Sequence, residues 1–126
     1  MARTKITCEF LLRASPTIVY QFLSDTTCLI RWFCDHVEIE DEVYSFYWNG
    51  QAEQAELIDD VEDDRLRFVW SDSDVASEYL EFKITTSPVT DETILTITDF
   101  CDVDEVADQK MFWEAQIKKM THVMGA

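Results

Sequence analysis

"DVDEVADQKMFWEAQIKKMTHVMG", residues 102–125, follows a long run of strand-like segments, and that order decides the fold. Val106, Trp113, Ile117, Met120 and Met124 recur at steps of seven, four, three and four. Such spacing places them on one stripe of a helix of about five turns. Phe112 and Val123 widen the stripe. Asp102 with Glu105 three residues on resembles a capping box, with Asp in place of Ser or Thr. Gly125 suits a C-cap, and Lys118 and Lys119 complement the negative end of the helix dipole. So broad an apolar face must lie on an apolar surface of similar size.

Residues 37–100 supply that surface. "VEIE" (37–40) and "VYSFYWNG" (43–50) are joined by an acidic turn, and Asn49-Gly50 is a strong hairpin signal. "QAEQAELIDDV" (51–61) runs into a turn at "EDD" (62–64). In "RLRFVWSD" (65–72), Leu66, Phe68 and Trp70 alternate with Arg65, Arg67 and Val69. "YLEFKIT" (79–85) puts Leu80, Phe82 and Ile84 on one face, and "TILTITDF" (93–100) follows the turn "SPVTDE" (87–92). Alternating strands joined by short turns make one antiparallel sheet with a buried and a solvated face. The strand over 43–48 is apolar on both faces, which hints at an interface.

Ahead of the meander, Ile6, Cys8, Phe10 and Leu12 share one face of a strand over 5–13, opposite Lys5, Thr7, Glu9 and Arg13. Ser15 then reads as an N-cap with Pro16 at the first helical position, where its missing N–H costs nothing. Val19, Phe22 and Leu23 keep helical spacing. A second short helix is expected to start near Asp25 and to present Leu29, Trp32 and Phe33.

A chain of 126 residues is most simply one domain and buries about two-thirds of its unfolded surface. Two glycines and two prolines leave no room for flexible linkers. The formal net charge of −16 disfavours nucleic acid, whose affinity comes largely from Lys and Arg on phosphates, and equally disfavours anionic membranes. No apolar stretch approaches the ~18–20 residues that span a bilayer, and the N-terminus alternates like a strand instead of resembling a signal peptide. A cytoplasmic protein with four reduced thiols is the expectation.

The stretch "TTCLIRWFCDH" (26–36) looks most like chemistry. Zinc-ligand pairs usually enclose two to four residues, whereas five separate Cys28 from Cys34. On one helix those six positions turn by about 600°, leaving the thiols ~120° apart. Cys34 and His36 give at most two ligands. As a nucleophile, Cys34 follows the C-terminal end of a helix, where the dipole disfavours a thiolate. No metal or cofactor is expected, and both cysteines read as packing. His122 reads as a surface residue. The run "DDVEDD" (59–64) lacks the ligand spacing and glycine of a calcium loop and reads as a solvated turn.

Strand, two short helices, strand meander and long C-terminal helix together resemble the helix-grip fold of the START-like and birch-pollen-allergen superfamily. The resemblance covers essentially the whole chain. It rests on "ASPTIVYQFLSDTTCLIRWF" (14–33), on "DDRLRFVWSD" (63–72), and on "ILTITDF" (94–100) followed by a helix containing "FW". It is nearest to small bacterial members related to chaperone-ATPase activator homologues. The strong acidity departs from that pattern, as does Asp25-Thr26 where Asp-Pro usually opens the second helix.

The resemblance implies an α+β fold in which a curved antiparallel sheet of about six or seven strands wraps the long helix. It also implies a pocket between sheet and helix, lined by Trp32, Phe33, Tyr47, Phe68, Trp70, Phe82, Trp113, Ile117 and Met120, unless these side chains simply fill the core. Tyr44, Tyr79, Thr98 and Asp99 are candidate polar anchors. The expected function is non-enzymatic binding of a small hydrophobic molecule, a lipid or polyketide-like compound. A regulatory role with a protein partner is the alternative, because the charge could steer a basic surface. Cyclase-like or hydrolase-like catalysis, as in some relatives, would need a convergent acid/base pair, for which Asp99 and Tyr79 are the only candidates.

Overall fold

The computed structural model describes residues 2–73 and 77–125. Alternation at the N-terminus yields β1 (Arg3–Leu12), with Ile6, Cys8 and Leu12 buried. Helix α1 (Pro16–Ser24) starts where Ser15 accepts the Ile18 N–H, and it buries Val19, Phe22 and Leu23. Asp25 caps α2 (Thr26–Leu29) by accepting the Thr27 N–H. This helix is a single turn, so Trp32 and Phe33 lie in the turns beyond it, both buried.

The meander follows as β2 (His36–Glu40), β3 (Val43–Trp48), β4 (Gln51–Val61), β5 (Arg65–Trp70), β6 (Leu80–Thr86) and β7 (Thr93–Asp102). All neighbours pair antiparallel in the order β1-β7-β6-β5-β4-β3-β2, giving a curved seven-stranded sheet. The β3–β4 turn uses Asn49 and Gly50, both at positive φ, as a tight hairpin requires. β1 closes the sheet by pairing along its whole length with β7, from Arg3 opposite Asp102 to Leu12 opposite Thr93.

A register shift between Leu57 and Asp59 breaks the alternation of β4. Beyond it Asp60 accepts from the Tyr20 hydroxyl of α1 at 2.5 Å, Asp63 accepts from Thr17, and Asp59 pairs with Arg65. The acidic run 59–64 is therefore more than a solvated turn: Asp59, Asp60, Asp63 and Asp64 all have side-chain partners, those of Asp60 and Asp63 on α1. Periodicity cannot show this, because the partners lie some forty residues upstream.

Helix α3 (Val106–Met124) follows a 3-10 turn, Val103–Glu105, and buries Trp113, Gln116, Ile117 and Met120. The expected capping box does not form. Asp102 makes no cap; its carboxylate accepts from Arg3 Nη1 at 3.0 Å, and a charge-assisted bond outcompetes a neutral backbone N–H. Gly125 ends the helix in the left-handed conformation. The expected stripe holds at its centre, while Val106 and Met124 are half-buried and His122 is exposed.

Candidate functional site

The sheet is notched at one end. β6 begins at Leu80 opposite Phe68, and its pairing with β7 begins at Glu81 opposite Thr98. β5 therefore continues through Val69 and Trp70, and β7 through Asp99 to Asp102, past the start of the strand between them. A cleft of about 840 Å³ opens there, between the notch and the first turns of α3. That size lies within the ~300–1,000 Å³ common for small-molecule sites.

Aromatic rings form its walls. Phe33, Trp48, Trp70, Phe112 and Trp113 line the cleft, with Tyr79 and Phe100 packed edge-to-face beside them at 5.2 Å. Phe33 is the hub, meeting Phe46 at 5.0 Å, Trp48 at 5.3 Å and the stacked ring of Trp113 at 6.2 Å. The indole N–H of Trp48 donates to the Phe33 carbonyl at 2.7 Å, which fixes its ring at the edge of the wall. Gln116 donates to the carbonyls of Trp32 and Phe33 at 3.3 Å each, tying α3 to the turn after α2. Phe112 is 42 % exposed and flanks the opening.

One carboxylate lies among these rings. Asp99 is buried on β7; its Oδ2 accepts from Trp113 Nε1 at 2.9 Å and from Gln109 Nε2 at 2.8 Å, while Oδ1 accepts the Phe100 N–H at 2.8 Å. All three donors are neutral. At the rim Arg3 grips Glu78 with Nε and Nη2, at 2.9 and 2.7 Å, and reaches Asp102 with Nη1. The guanidinium holds both carboxyls below their ordinary range.

Of the expected lining residues, Phe33, Trp70 and Trp113 border this cleft. Trp32 borders a smaller neighbouring hollow of about 210 Å³, with its indole N–H donating to the Phe22 carbonyl. Phe68, Phe82, Ile117 and Met120 lie in the core behind the cleft, each 3 % exposed or less. Tyr47 is on the opposite face. β3 turns Tyr44 and Phe46 inward and leaves Tyr47 beside His36, its hydroxyl donating to Glu38. Among the candidate anchors, Asp99 and Tyr79 reach the cleft. Tyr44 packs against Phe68 in the core, and Thr98, paired with Thr7 and Glu81, has the parity opposite to the inward Ile97 and Asp99. Tyr79 also carries the Arg67 guanidinium over its ring at 4.0 Å. Trp48, Gln109 and Phe112 are cleft residues that the sequence reading did not name as such; Trp48 shares the parity of Tyr44 and Phe46, which was the available signal.

The reactive-looking stretch is packing. All four cysteines are free and buried, and burial raises each thiol pKa, that of Cys34 to about 11. Cys28, Cys34 and His36 do not converge. Among the described residues, the one grouping of ligand-type side chains is Asp102, Asp104 and Glu105, largely exposed carboxylates. Near pH 8 a thiol reagent such as dithionitrobenzoate is expected to label the native protein at least ~100-fold more slowly than the urea-unfolded chain. Fast native labelling of any cysteine would contradict this burial. The folded Cys34 keeps its proton where the unfolded thiol, at 9.0, has lost it, so its contribution to stability falls as pH rises from 9.0 to about 11.

No helix among the described residues is long and apolar enough to cross a membrane. The profile of the START-like superfamily domain matches residues 1–126. No curated protein matches the chain. Among solved structures, the chain is similar to BfR322 from Bacteroides fragilis, at 32% identity, with 98% of this chain and 93% of that one covered and a TM-score of 0.69. It shares its fold with the Aha1 dimer from Colwellia psychrerythraea, at 15% identity, 94% and 93% coverage and a TM-score of 0.79. It shares it also with DynU16, a protein of the dynemicin biosynthetic locus, at 19% identity and a TM-score of 0.81; there 97% of this chain covers 47% of the other. From strand order to profile, the chain belongs to the START-like superfamily.

Proposed function

We propose that this protein is a non-enzymatic cytoplasmic binding module that holds a small, largely hydrophobic molecule of lipid or polyketide type in the notch cleft. The observation that carries the reading is the cleft itself, about 840 Å³ with aromatic walls and an open mouth. The core behind it is closely filled, so a ligand occupies the end of the sheet–helix interface and not its centre. Ring faces supply most of the contact, and Asp99 with its two side-chain donors offers a fixed polar point. DynU16, which shares the fold, comes from the dynemicin biosynthetic locus, and a biosynthetic product of polyketide type is compatible with such a cleft. A regulatory protein steered by the −16 charge towards a basic partner is the alternative.

The test is titration with Nile red, a neutral apolar dye, followed by its fluorescence. Saturable binding is expected, weakened about 10-fold by Phe112→Ala, since burying an aromatic ring contributes ~1.5–3 kcal/mol. Val89→Ala, in the exposed turn before β7, is expected to leave binding unchanged. Absence of saturable binding, or binding indifferent to Phe112, would remove the cleft from the function.

A further inference from the structure

The charges around the cleft are lopsided. Carboxylates of Glu53, Asp72, Glu78, Asp99 and Asp102 line it, and the cation that lines it, Arg3, is engaged by Glu78 and Asp102. Asp99 receives only neutral donors, so its charge, buried against the rings, has no ionic partner among the described residues. Glu53 and Asp72 are exposed at the rim. Around them stand the rings of Trp48, Trp70 and Phe112, and aromatic faces attract cations through their quadrupoles.

A fatty-acid or phosphate head would meet this surplus of negative charge, and among the described lining residues no cation is free to receive it. A desolvated ammonium would instead find both kinds of partner it needs, ring faces and carboxylates. Resting on the binding-module reading, we infer that the cleft selects cationic ligands: an apolar molecule bearing an alkylammonium or quaternary ammonium group. The cationic head sits between the aromatic wall and the Asp99 side of the notch, and the apolar part lies along Phe33, Trp48 and Phe112. The rim carboxylates Glu53 and Asp72 raise the local concentration of such ligands.

Benzyltrimethylammonium, its neutral carbon isostere neopentylbenzene, and the anion phenylmethanesulfonate separate charge from shape. Binding to the full chain is followed by shifts of the indole N–H resonances, with Nile red competition as a second readout. The cation is expected to bind at least ~10-fold tighter than the isostere, and the anion weakest. The preference is expected to persist at about 0.5 M salt, where diffuse attraction is screened. Glu53→Gln with Asp72→Asn, both at the exposed rim, is expected to reduce cation affinity about 3-fold while sparing the isostere. Asp99→Asn is expected to abolish the preference. Should that variant fail to fold, Trp48→Phe against Trp48→Leu tests the ring, with only leucine losing the cation. Equal binding of cation and isostere overturns the selectivity but leaves the binding module standing. A preference that vanishes at high salt, or survives both the carboxylate and the ring substitutions, also overturns it. Failure of all three probes together with Nile red overturns both readings.

Discussion

Replacement of Phe33 by alanine is expected to cost about 3–5 kcal/mol of folding stability, the range for truncating a buried aromatic ring. Phe33 is 5% exposed and lies where three parts of the chain meet. Its ring touches Trp32 in the same turn, Phe46 and Trp48 on β3, and Trp113 on α3. Its carbonyl accepts from Trp48 and Gln116, and these bonds survive loss of the side chain, so the cost is one of packing. The three indoles around Phe33 are held by their own N–H bonds and resist collapse into the space it leaves, which places the cost near the upper end of the range. Urea unfolding followed by far-ultraviolet circular dichroism measures it without relying on the tryptophans themselves. Phe33→Leu is expected to lose less than half as much. A loss below ~1 kcal/mol for the alanine variant, an ordinary surface value, would show that Phe33 is not the hub.

Asp99→Ala is the second large effect, expected at about 2–4 kcal/mol, because removing an acceptor leaves buried donors without partners. Trp113 Nε1–H and the Gln109 amide both point at the lost oxygen, and the indole is almost fully buried. If the cost comes from the orphaned indole N–H, adding Trp113→Phe, which removes that donor, recovers part of it. The double variant is then expected to be more stable than the sum of the single losses by about 1 kcal/mol or more. Strict additivity in the cycle would mean that Asp99 acts on the fold by some route other than Trp113. The same cycle bears on function, since it separates what Asp99 contributes to the fold through Trp113 from what it contributes to the cleft that it also lines.

Strand alternation and the seven-four-three-four stripe were enough to order the elements, because each reports which face is buried. Trp113, Ile117 and Met120 are buried as that stripe requires. Local pattern failed where a distant partner decides the outcome. Asp102 reads as a helix cap until Arg3, ninety-nine residues away, takes its carboxylate. Tyr47 reads as a wall residue because "VYSFYW" is apolar at both parities, and only its neighbours choose the inward set. The cleft was illegible for a different reason: it arises from where β6 begins relative to β5 and β7, a matter of strand length and not of residue type.

The pairing of β1 with β7 also governs how the chain reaches its fold. Arg3 finds its partner at Asp102 and Leu12 at Thr93, so the first strand has no sheet neighbour until nearly all the rest has been made. During synthesis the hairpins from β2 to β6 can form locally, whereas β1 waits. Closing a loop of that length is entropically costly before any contact rewards it, and non-local strand pairing of this kind slows folding. Until β7 arrives, the apolar side of β1, with Ile6, Cys8 and Leu12, stays in water. A chain built this way depends in its unfinished state on solubility supplied from elsewhere. With a formal charge of −16 over the full sequence, carboxylates outnumber cations, and a surplus of that kind makes incomplete chains repel one another.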